Sequence, residues 1–546
     1  MRSAIQDEWS PLSFIAALGG EDGTKPPGAA QYFDLSDQRR MRAYAILNAF
    51  MTNTRREYLG QVGVGRVDRS GRPIESTAEA REYREYGDAA LLVQAARALI
   101  LGDEQTVILS NPDDDEPLDA ATSPLAEWVE GWLAREQFTQ RLLSGETHTI
   151  GLGDAVYVLG TSDRAGRPKL RVEDPGFYFP DFDAQVEGWD DDGFPAVVHL
   201  CWEYESAADR KTHTRRVTWR MAPLEEAVAS PWSDQPRRWT CWYSVEDMLT
   251  GDISSKASVY SERMARNVEQ VVEPTDLRID FIPVVHVPNT PGVWGTSLLT
   301  MLAQLLDDIQ SNDSDIATAS QTANPLLVTD AEALPALTGL PGESVRLNPG
   351  ADARYISASL AGLMEHGDRL ARRLAQNSRL GEVLLGRVAP NDVPSGLALN
   401  LGFHPARQLM RDARTIRDEK FPLIVKFALR LAQAWGWCPP GPTPDIQVAL
   451  GNSLPSDLPS VVENVKDLLA ARAISVDSAV RMLQSAGLPL DDAAAEVARI
   501  QADDTEALVR LVDALGVRGT EIVLQRLAAA DATRTAQPDA DKTGQE

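Results

Sequence analysis

The chain has 546 residues, 43% of them hydrophobic and 24% charged, which is enough for a sizeable core shared among three or four substructures. A formal charge of −27 argues against a surface that grips nucleic acid throughout, because such binding draws on clustered Lys and Arg. The longest apolar runs, such as Ala89 to Val93 and Ala98 to Leu101, are too short to cross a bilayer, so no membrane is expected as a partner.

The N-terminus lacks the basic and apolar regions of a signal peptide, and synthesis and folding in the cytoplasm are expected. Cys201, Cys241 and Cys438 lie far apart and form no CxxC, so reduced, partly buried thiols are expected, with neither a disulfide framework nor a zinc ribbon.

Residues 1–33, rich in Gly, Pro and polar side chains around one apolar patch at Phe14 to Leu18, read as an arm, either disordered or clamped to a neighbour. Asp34-Leu35-Ser36-Asp37 then caps a helix through about Tyr58, a second helix covers Asp88 to Leu101, and a third starts at Ser123-Pro124. That third helix carries Leu125, Trp128, Val129, Trp132, Phe138 and Leu142 on its apolar side. From Gly151 the period changes to short strands at Ala155–Leu159, Lys169–Val172, Ala196–Trp202, Arg215–Trp219 and Arg238–Tyr243, the spacing of an antiparallel meander. Trp202, Trp219, Trp239 and Trp242 fit core packing better than a stacking platform for sugars or bases.

Ile279 to Asn289 reads as a buried strand stopped by proline, and Gly295-Thr296-Ser297 as the cap of a helix with Leu298, Leu302, Leu305 and Ile309 apolar. This helix carries Asp307, Asp308, Asp313 and Asp315 and no basic residue before Asn324. Short strands follow at Pro325–Val328, Ser344–Leu347 and Arg354–Ile356, then a helix with Leu360, Leu363, Met364, Leu370 and Leu374 apolar and Arg369, Arg372, Arg373 and Arg379 outside. An acidic and a more basic helix in series can pair within one chain or side by side between copies.

Gly386 to Val393 reads as an exposed loop, and Pro394 to Trp435 as one very long helix capped by Ser395, on the order of 60 Å if continuous. Pro405 and Pro422 should bend or divide it. Arg407, Arg411 and Arg414 share one face by their spacing and either contact phosphate or pair with a neighbouring subunit. A strand at Ile446–Leu450, helices from 457 to about 530, capped at Ile474-Ser475 and again at Leu488 to Asp492, and an aperiodic tail at 531–546 complete the chain.

Enzyme signatures are missing: there is no GxxxxGK[ST], HExxH or GxSxG, and His148, His199, His213, His286, His366 and His404 are scattered singly, as structural residues would be. Gly151-Leu152-Gly153 lacks the third glycine of a dinucleotide loop, and Asp190-Asp191-Asp192 before Gly193 reads as a turn ahead of a metal site. No catalytic residue, metal ligand or cofactor is assigned.

The order of the parts is informative. The Ile282-Pro283-Val284-Val285 strand, the Gly295-Thr296-Ser297 helix start, the small β insertion, the second helix, the loop ending in Pro394-Ser395-Gly396-Leu397-Ala398-Leu399 and the Ile474-Ser475 helix resemble, over about residues 34–505, the portal (head-to-tail connector) family of tailed bacteriophages. The resemblance implies a mixed α/β (α+β) subunit with a wing at 34–292, stem helices at 293–323 and 358–380, a clip at 324–357, a tunnel loop at 381–394, a long wing helix and strand at 395–454 and a crown at 455–530. It implies a non-enzymatic dodecameric ring at one capsid vertex, assembled in the host cytoplasm and carried in the virion. Double-stranded DNA would pass through it, and its partners would be the terminase motor, head-completion or adaptor proteins, the major capsid protein and a scaffolding protein. Arg387, Val388, Asn391, Asp392, Val393 and Ser395 would face DNA, Val328, Val345, Arg346 and Leu347 would meet the clip's partners, and Arg407, Arg411 and Arg414 would form the seam between subunits. The rival classes are a phage-encoded nuclease or protease with dispersed carboxylates, which the missing constellations disfavour, and a capsid or scaffold protein, which has no need of the helix-loop-helix series.

Overall fold

The computed structural model describes residues 35–54, then 84–322 apart from short breaks at 113–116, 119, 162–164, 183–185, 187–193 and 255, then 326–329, 353–356, 360–387, 402–451, 458–485 and four positions between 496 and 500. The arm, the tail, the Asp190 stretch and the strand expected at Ser344–Leu347 lie outside these residues, and of the helix expected after Leu488 only the four helical positions between 496 and 500 are described. The chain divides into two compact units, 1–453 and 454–546.

The first unit is mixed α/β. Helices α1 (Leu35–Thr52) and α2 (Asp88–Leu101) lead to strand β1 (Gln105–Ser110). The helix expected to run to Tyr58 stops at Thr52, where Asn53 takes the left-handed conformation. The single helix expected from Ser123 is two, α3 (Pro124–Glu136) and α4 (Phe138–Leu152), divided at left-handed Gln137. Ser123 caps the first as anticipated, accepting from the Ala126 N–H. The break has a use: it leaves Glu136 buried, where its carboxylate accepts from Arg167 Nε at 2.7 Å and the Leu170 N–H at 3.1 Å.

Strands β2 (Asp154–Gly160), β3 (Lys169–Glu173) and β9 (Val284–Pro288) form an antiparallel sheet in the order β3-β2-β9. Strands β4 (Tyr178–Asp181), β5 (Val197–Glu205), β6 (Thr212–Ser230), β7 (Ser233–Leu249) and β8 (Val268–Asp276) form an antiparallel meander in sequential order, from which the strands expected at Ala155–Leu159 and Lys169–Val172 are missing because they pair in the sheet with β9. β6 and β7 are far longer than their alternation suggested, because a register shift between Pro223 and Val228 lets pairing continue past the proline. Trp202 and Trp219 are buried, Trp239 packs against the core from its edge, and Trp242 is half-exposed, so the cluster serves mainly as packing.

A turn at Ser297–Leu302 precedes α5 (Ala303–Thr322), which begins one turn later than expected. Bonds from Thr300 N–H to Ser297 O and from Leu302 N–H to Leu299 O tighten this turn and shift the phase, so Leu299, Leu302 and Leu306 are the buried residues. Strands β10 (Leu326–Thr329) and β11 (Ala353–Ile356) pair antiparallel, and α6 (Ala361–Asn377) packs back on α5. The short helix α7 (Gly381–Leu384) stands where the expected tunnel loop would begin, a helical turn in place of loop. The 31-residue α8 (His404–Ala434) is about 46 Å long and carries Pro405 in its first turn, where a missing N–H is harmless, and Pro422 in its interior. Gly402 is helical and Phe403 is a turn, so the long helix is divided just before Pro405, as expected, and α8 starts there. Strand β12 (Asp445–Leu450) then pairs with β1, joining residues some 340 apart in sequence that no local pattern links.

One hydrophobic cluster unites these pieces: Trp132, Tyr157, Phe177 and Trp219 from the helices and sheets meet Phe421, Ile424 and Leu431 of α8. Phe281 stacks on Phe427 at 4.3 Å. In the second unit, α9 (Leu458–Ala470) packs on α10 (Val476–Ser485), whose N-cap is Ser475, as its sequence indicated, accepting from the Ser478 N–H.

His199 of β5 is buried, with Nδ1 2.9 Å from Thr218 Oγ1. Burial, aided by Arg216 and Arg220, pushes its pKa from 6.5 down to about 3. The unfolded chain therefore binds this proton below about pH 6.5 while the fold does not, and stability falls as pH drops through that window. Asp88, Asp313 and Asp418, whose carboxyls burial pushes up, act in the opposite sense. His199→Asn is expected to lose less stability than wild type between about pH 7 and pH 5 in urea unfolding. Parallel stability curves would show that His199 is not buried neutral.

Candidate functional site

The excursion from α5 to α6 starts beside the C-terminal end of α4, and farther along α5 the Ser314 hydroxyl accepts from the Arg84 N–H at 2.9 Å. A helix ends with carbonyls that have no intrahelical donor. Here the segment 289–298 supplies the donors: Asn289 N–H to Gly153 O at 2.8 Å, Leu298 N–H to Ile150 O at 3.0 Å, and the Ser297 hydroxyl to Gly151 O at 2.7 Å. Ser297 Oγ in turn accepts from the Leu299 N–H at 3.0 Å, starting the turn that leads into α5. Gly153 closes α4 at φ 107°, and the backbones of Gly153 and Gly295 lie in contact. A Cβ on Gly153 would stand 2.7 Å from Gly295 O, and one on Gly295 would overlap the Gly153 carbonyl and the Asn289 nitrogen.

Asp154, fully buried beside this contact, accepts from Tyr44 OH at 2.7 Å, from the Gly295 N–H at 2.8 Å and from His286 Nε2 at 2.8 Å. One carboxylate thereby joins α1, β2, β9 and the root of the hairpin. Burial, reinforced by Asp154, holds the Tyr44 hydroxyl well above the usual tyrosine range. Trp294 meets His286 edge-on and carries the Arg40 guanidinium 4.1 Å above its ring.

A second buried cluster connects the root to α8. Arg417 and Glu146 are both 0% exposed, with Nη2 2.7 Å from Oε1 and Nε 3.2 Å from the same oxygen. Arg417 also donates to Asn289 Oδ1 at 2.9 Å and to the Ala413 carbonyl at 3.3 Å. Asn289 Nδ2 donates onward to Thr296 O at 2.8 Å. The partners of Asn289 thus span α8, the end of α4 and the root of the hairpin. The arrangement fastens elements together. The Ser297 hydroxyl is committed to helix carbonyls and is not aimed at His286, so Asp154, His286 and Ser297 do not form a nucleophilic relay.

The anticipated functional residues fall elsewhere. Arg387 follows α7, exposed, with Nη2 3.4 Å from Asp368 Oδ1. Val328 lies in β10 opposite Arg354. Val388, Asn391, Asp392, Val393, Ser395, Val345, Arg346 and Leu347 lie outside the described residues. The arginine stripe of α8 divides: Arg407 and Arg411 are exposed, whereas Arg414 turns inward and donates to the carbonyls of Ile100 at 2.8 Å, Leu450 at 3.3 Å and Gly451 at 2.6 Å. Arg414 ties α8 to the end of α2 and to the end of β12 within its own chain. Arg417, Glu146, Asp154 and Asn289 were missed. The available signal was position: Arg417 occupies the stripe Ala413, Phe421, Ile424 and Ala428 at helical spacing, so an acidic partner in the core was required.

A cavity of about 310 Å³ lies between Val198, Phe281, Leu423 and Phe427, with Asp280, Lys426 and Arg430 also lining it. Burial and the neighbouring Arg430 pull the Lys426 pKa down. Asp280 Oδ1 is buried without a hydrogen-bond partner among the described residues.

No family model and no curated protein matches the chain. Among solved structures it is similar to a chain in the neck of an empty GTA particle computed with C6 symmetry, at 12% identity and a TM-score of 0.36, over 73% of this chain and 89% of that one. It is likewise similar to a chain in the neck of a native GTA particle computed with C12 symmetry, at 12% identity and a TM-score of 0.34, over 72% of this chain and 99% of that one.

Removing one partner of a buried ion pair strands the other charge, so Arg417→Ala is expected to destabilise the chain by about 3–5 kcal/mol. The double change Glu146→Leu with Arg417→Met should cost much less than the sum of the single ones. Chemical unfolding of the three variants checks this, and additive losses would mean the two side chains do not interact.

Proposed function

We propose that this chain is the subunit of a portal-type ring, a non-enzymatic conduit through which double-stranded DNA is packaged into and released from a phage-like particle. The observation that carries the reading is the excursion from residue 303 to 377. Two helices packed on one another bracket a two-stranded antiparallel sheet, and the excursion starts from a root locked by Gly153, Gly295 and Ser297. A two-stranded sheet on a helical hairpin buries little surface of its own and is marginal in isolation, so neighbouring copies would supply the missing contacts. The helical hairpin would be the stem, β10 and β11 would belong to the clip, and α8 would run from channel to rim. The segment 381–394, opening with the helical turn α7, would reach the channel, with Arg387 at its start.

The charge balance supports a conduit. A strongly acidic subunit repels phosphate and leaves DNA mobile, whereas a basic lumen would hold it. Arg407 and Arg411 remain candidates for the seam with a neighbouring subunit. The terminase motor and adaptor proteins would dock on the clip, and capsid and scaffolding proteins on the outer surface.

Light scattering on the purified chain should give a mass many times the 59.6 kDa of one subunit. A particle that stays monomeric or dimeric at every concentration, or that turns over DNA or peptide, would sink the reading. Shortening residues 387–393 should leave assembly intact while impairing DNA packaging or retention, and loss of assembly would instead make the segment structural.

A further inference from the structure

The hairpin of α5 and α6 presents opposite charges on its two outward faces, at the same height. On α6, Leu370, Leu374 and Ser378 form the buried stripe. Arg369, Arg372 and Arg373 stand exposed away from it and make no hydrogen bond or ion pair with another described residue. On α5, Leu302, Leu306, Gln310 and Ser314 are buried, and the outward stripe runs through Gln304, Asp308 and Asp315, with Asp307 half-buried beside it. No Lys, Arg or His occurs anywhere in α5.

The two helices approach closely where Gly367 faces Asn312: a Cβ on Gly367 would stand 2.8 Å from Asn312 Nδ2. The helices are antiparallel, so one turn beyond that contact brings Arg369 to Arg373 level with Asp307 and Asp308. Three guanidinium groups without a partner among the described residues on one flank, and aspartates on the other at matching height, form a surface complementary to a copy of itself displaced sideways. Such a contact joins two different faces and repeats around an axis parallel to the hairpin, which is the condition for a closed ring.

We propose that the arginine face of α6 in one copy seats against the aspartate face of α5 in the next. The inference rests on the ring reading and specifies what sets its register. Exposed ion pairs contribute little singly, but here they recur at every interface, lose solvent on assembly and repel any slipped alignment. The seam is consequently sensitive to salt, since counter-ions screen it over about 10 Å at 0.1 M.

The test uses the full chain carrying Arg369→Glu, Arg372→Glu and Arg373→Glu, and a second variant that adds Asp307→Lys, Asp308→Lys and Asp315→Lys. Circular dichroism verifies that both fold, and native mass spectrometry reads the assembled fraction. The first variant should lose at least about tenfold in assembled fraction, equivalent to 1.4 kcal/mol per subunit contact. The charge-exchanged variant should recover assembly, and added salt should weaken assembly of the wild type. A first variant that assembles like wild type overturns the seam and leaves the ring reading standing. So does one that assembles but no longer retains DNA, which would turn the arginines toward the channel. A wild-type chain that never assembles removes the ring reading and the seam with it.

Discussion

The structure depends on how the carbonyl end of helix 138–152 is satisfied inside the protein. Those carbonyls point into a region that β2, β9, α1 and α8 shield from water, where an unpaired acceptor would cost about 1–3 kcal/mol. The chain meets this demand with the segment 289–298, and in doing so fixes where the helical hairpin leaves the body. The requirement explains the pair of glycines at 153 and 295, whose backbones touch, and the buried Asp154 that accepts from Gly295 on one side and from His286 and Tyr44 on the other. Position is thus dictated by hydrogen-bond satisfaction, with apolar packing filling the space around it.

The Arg417–Glu146 pair extends the same logic to the long helix. A buried ion pair is poor evidence for stability, because desolvating two charges offsets much of their attraction. Its value is specificity. Arg417 has hydrogen-bond acceptors on Glu146, Asn289 and Ala413, and no rotated or slipped packing of α8 against α4 would satisfy them together. Arg414, three residues earlier, pins the same helix to the ends of α2 and β12 by main-chain carbonyls. In the proposed ring, α8 is therefore a rigid member whose orientation follows the root of the hairpin, and its exposed arginines are Arg407 and Arg411.

Elements with strong local signals were legible: the Asp88–Leu101 helix, the Ser123 and Ser475 caps, strands β5 to β7 of the meander, and the paired strands β10 and β11, whereas the assignment of β2 and β3 to the same sheet was not. Interruptions and long-range pairings were not. Gln137 divides α3 from α4 without a Gly or Pro to announce it, because Glu136 gains buried partners by the break. Strand β1 is a short apolar run whose partner lies at the far end of the unit, and the phase of α5 was misread because Ser297 tightens the preceding turn. The anchoring cluster was invisible for the same reason: Glu146, Asn289 and Arg417 are ordinary residues until the fold brings them together. The arginine spacing on α8 indicated a shared face, yet only Arg414 stands beside the ends of α2 and β12, whose carbonyls it meets.

The central claim is that the hairpin 303–377 lines an axis and that α8 radiates from it, and electron cryomicroscopy of the assembled particle tests it most directly. The account predicts a closed ring with a central channel, the hairpin helices running along the channel wall and helix 404–434 pointing outward to the rim. A closed dimer, or a ring in which the hairpin lies on the outside and α8 runs parallel to the axis, would contradict it.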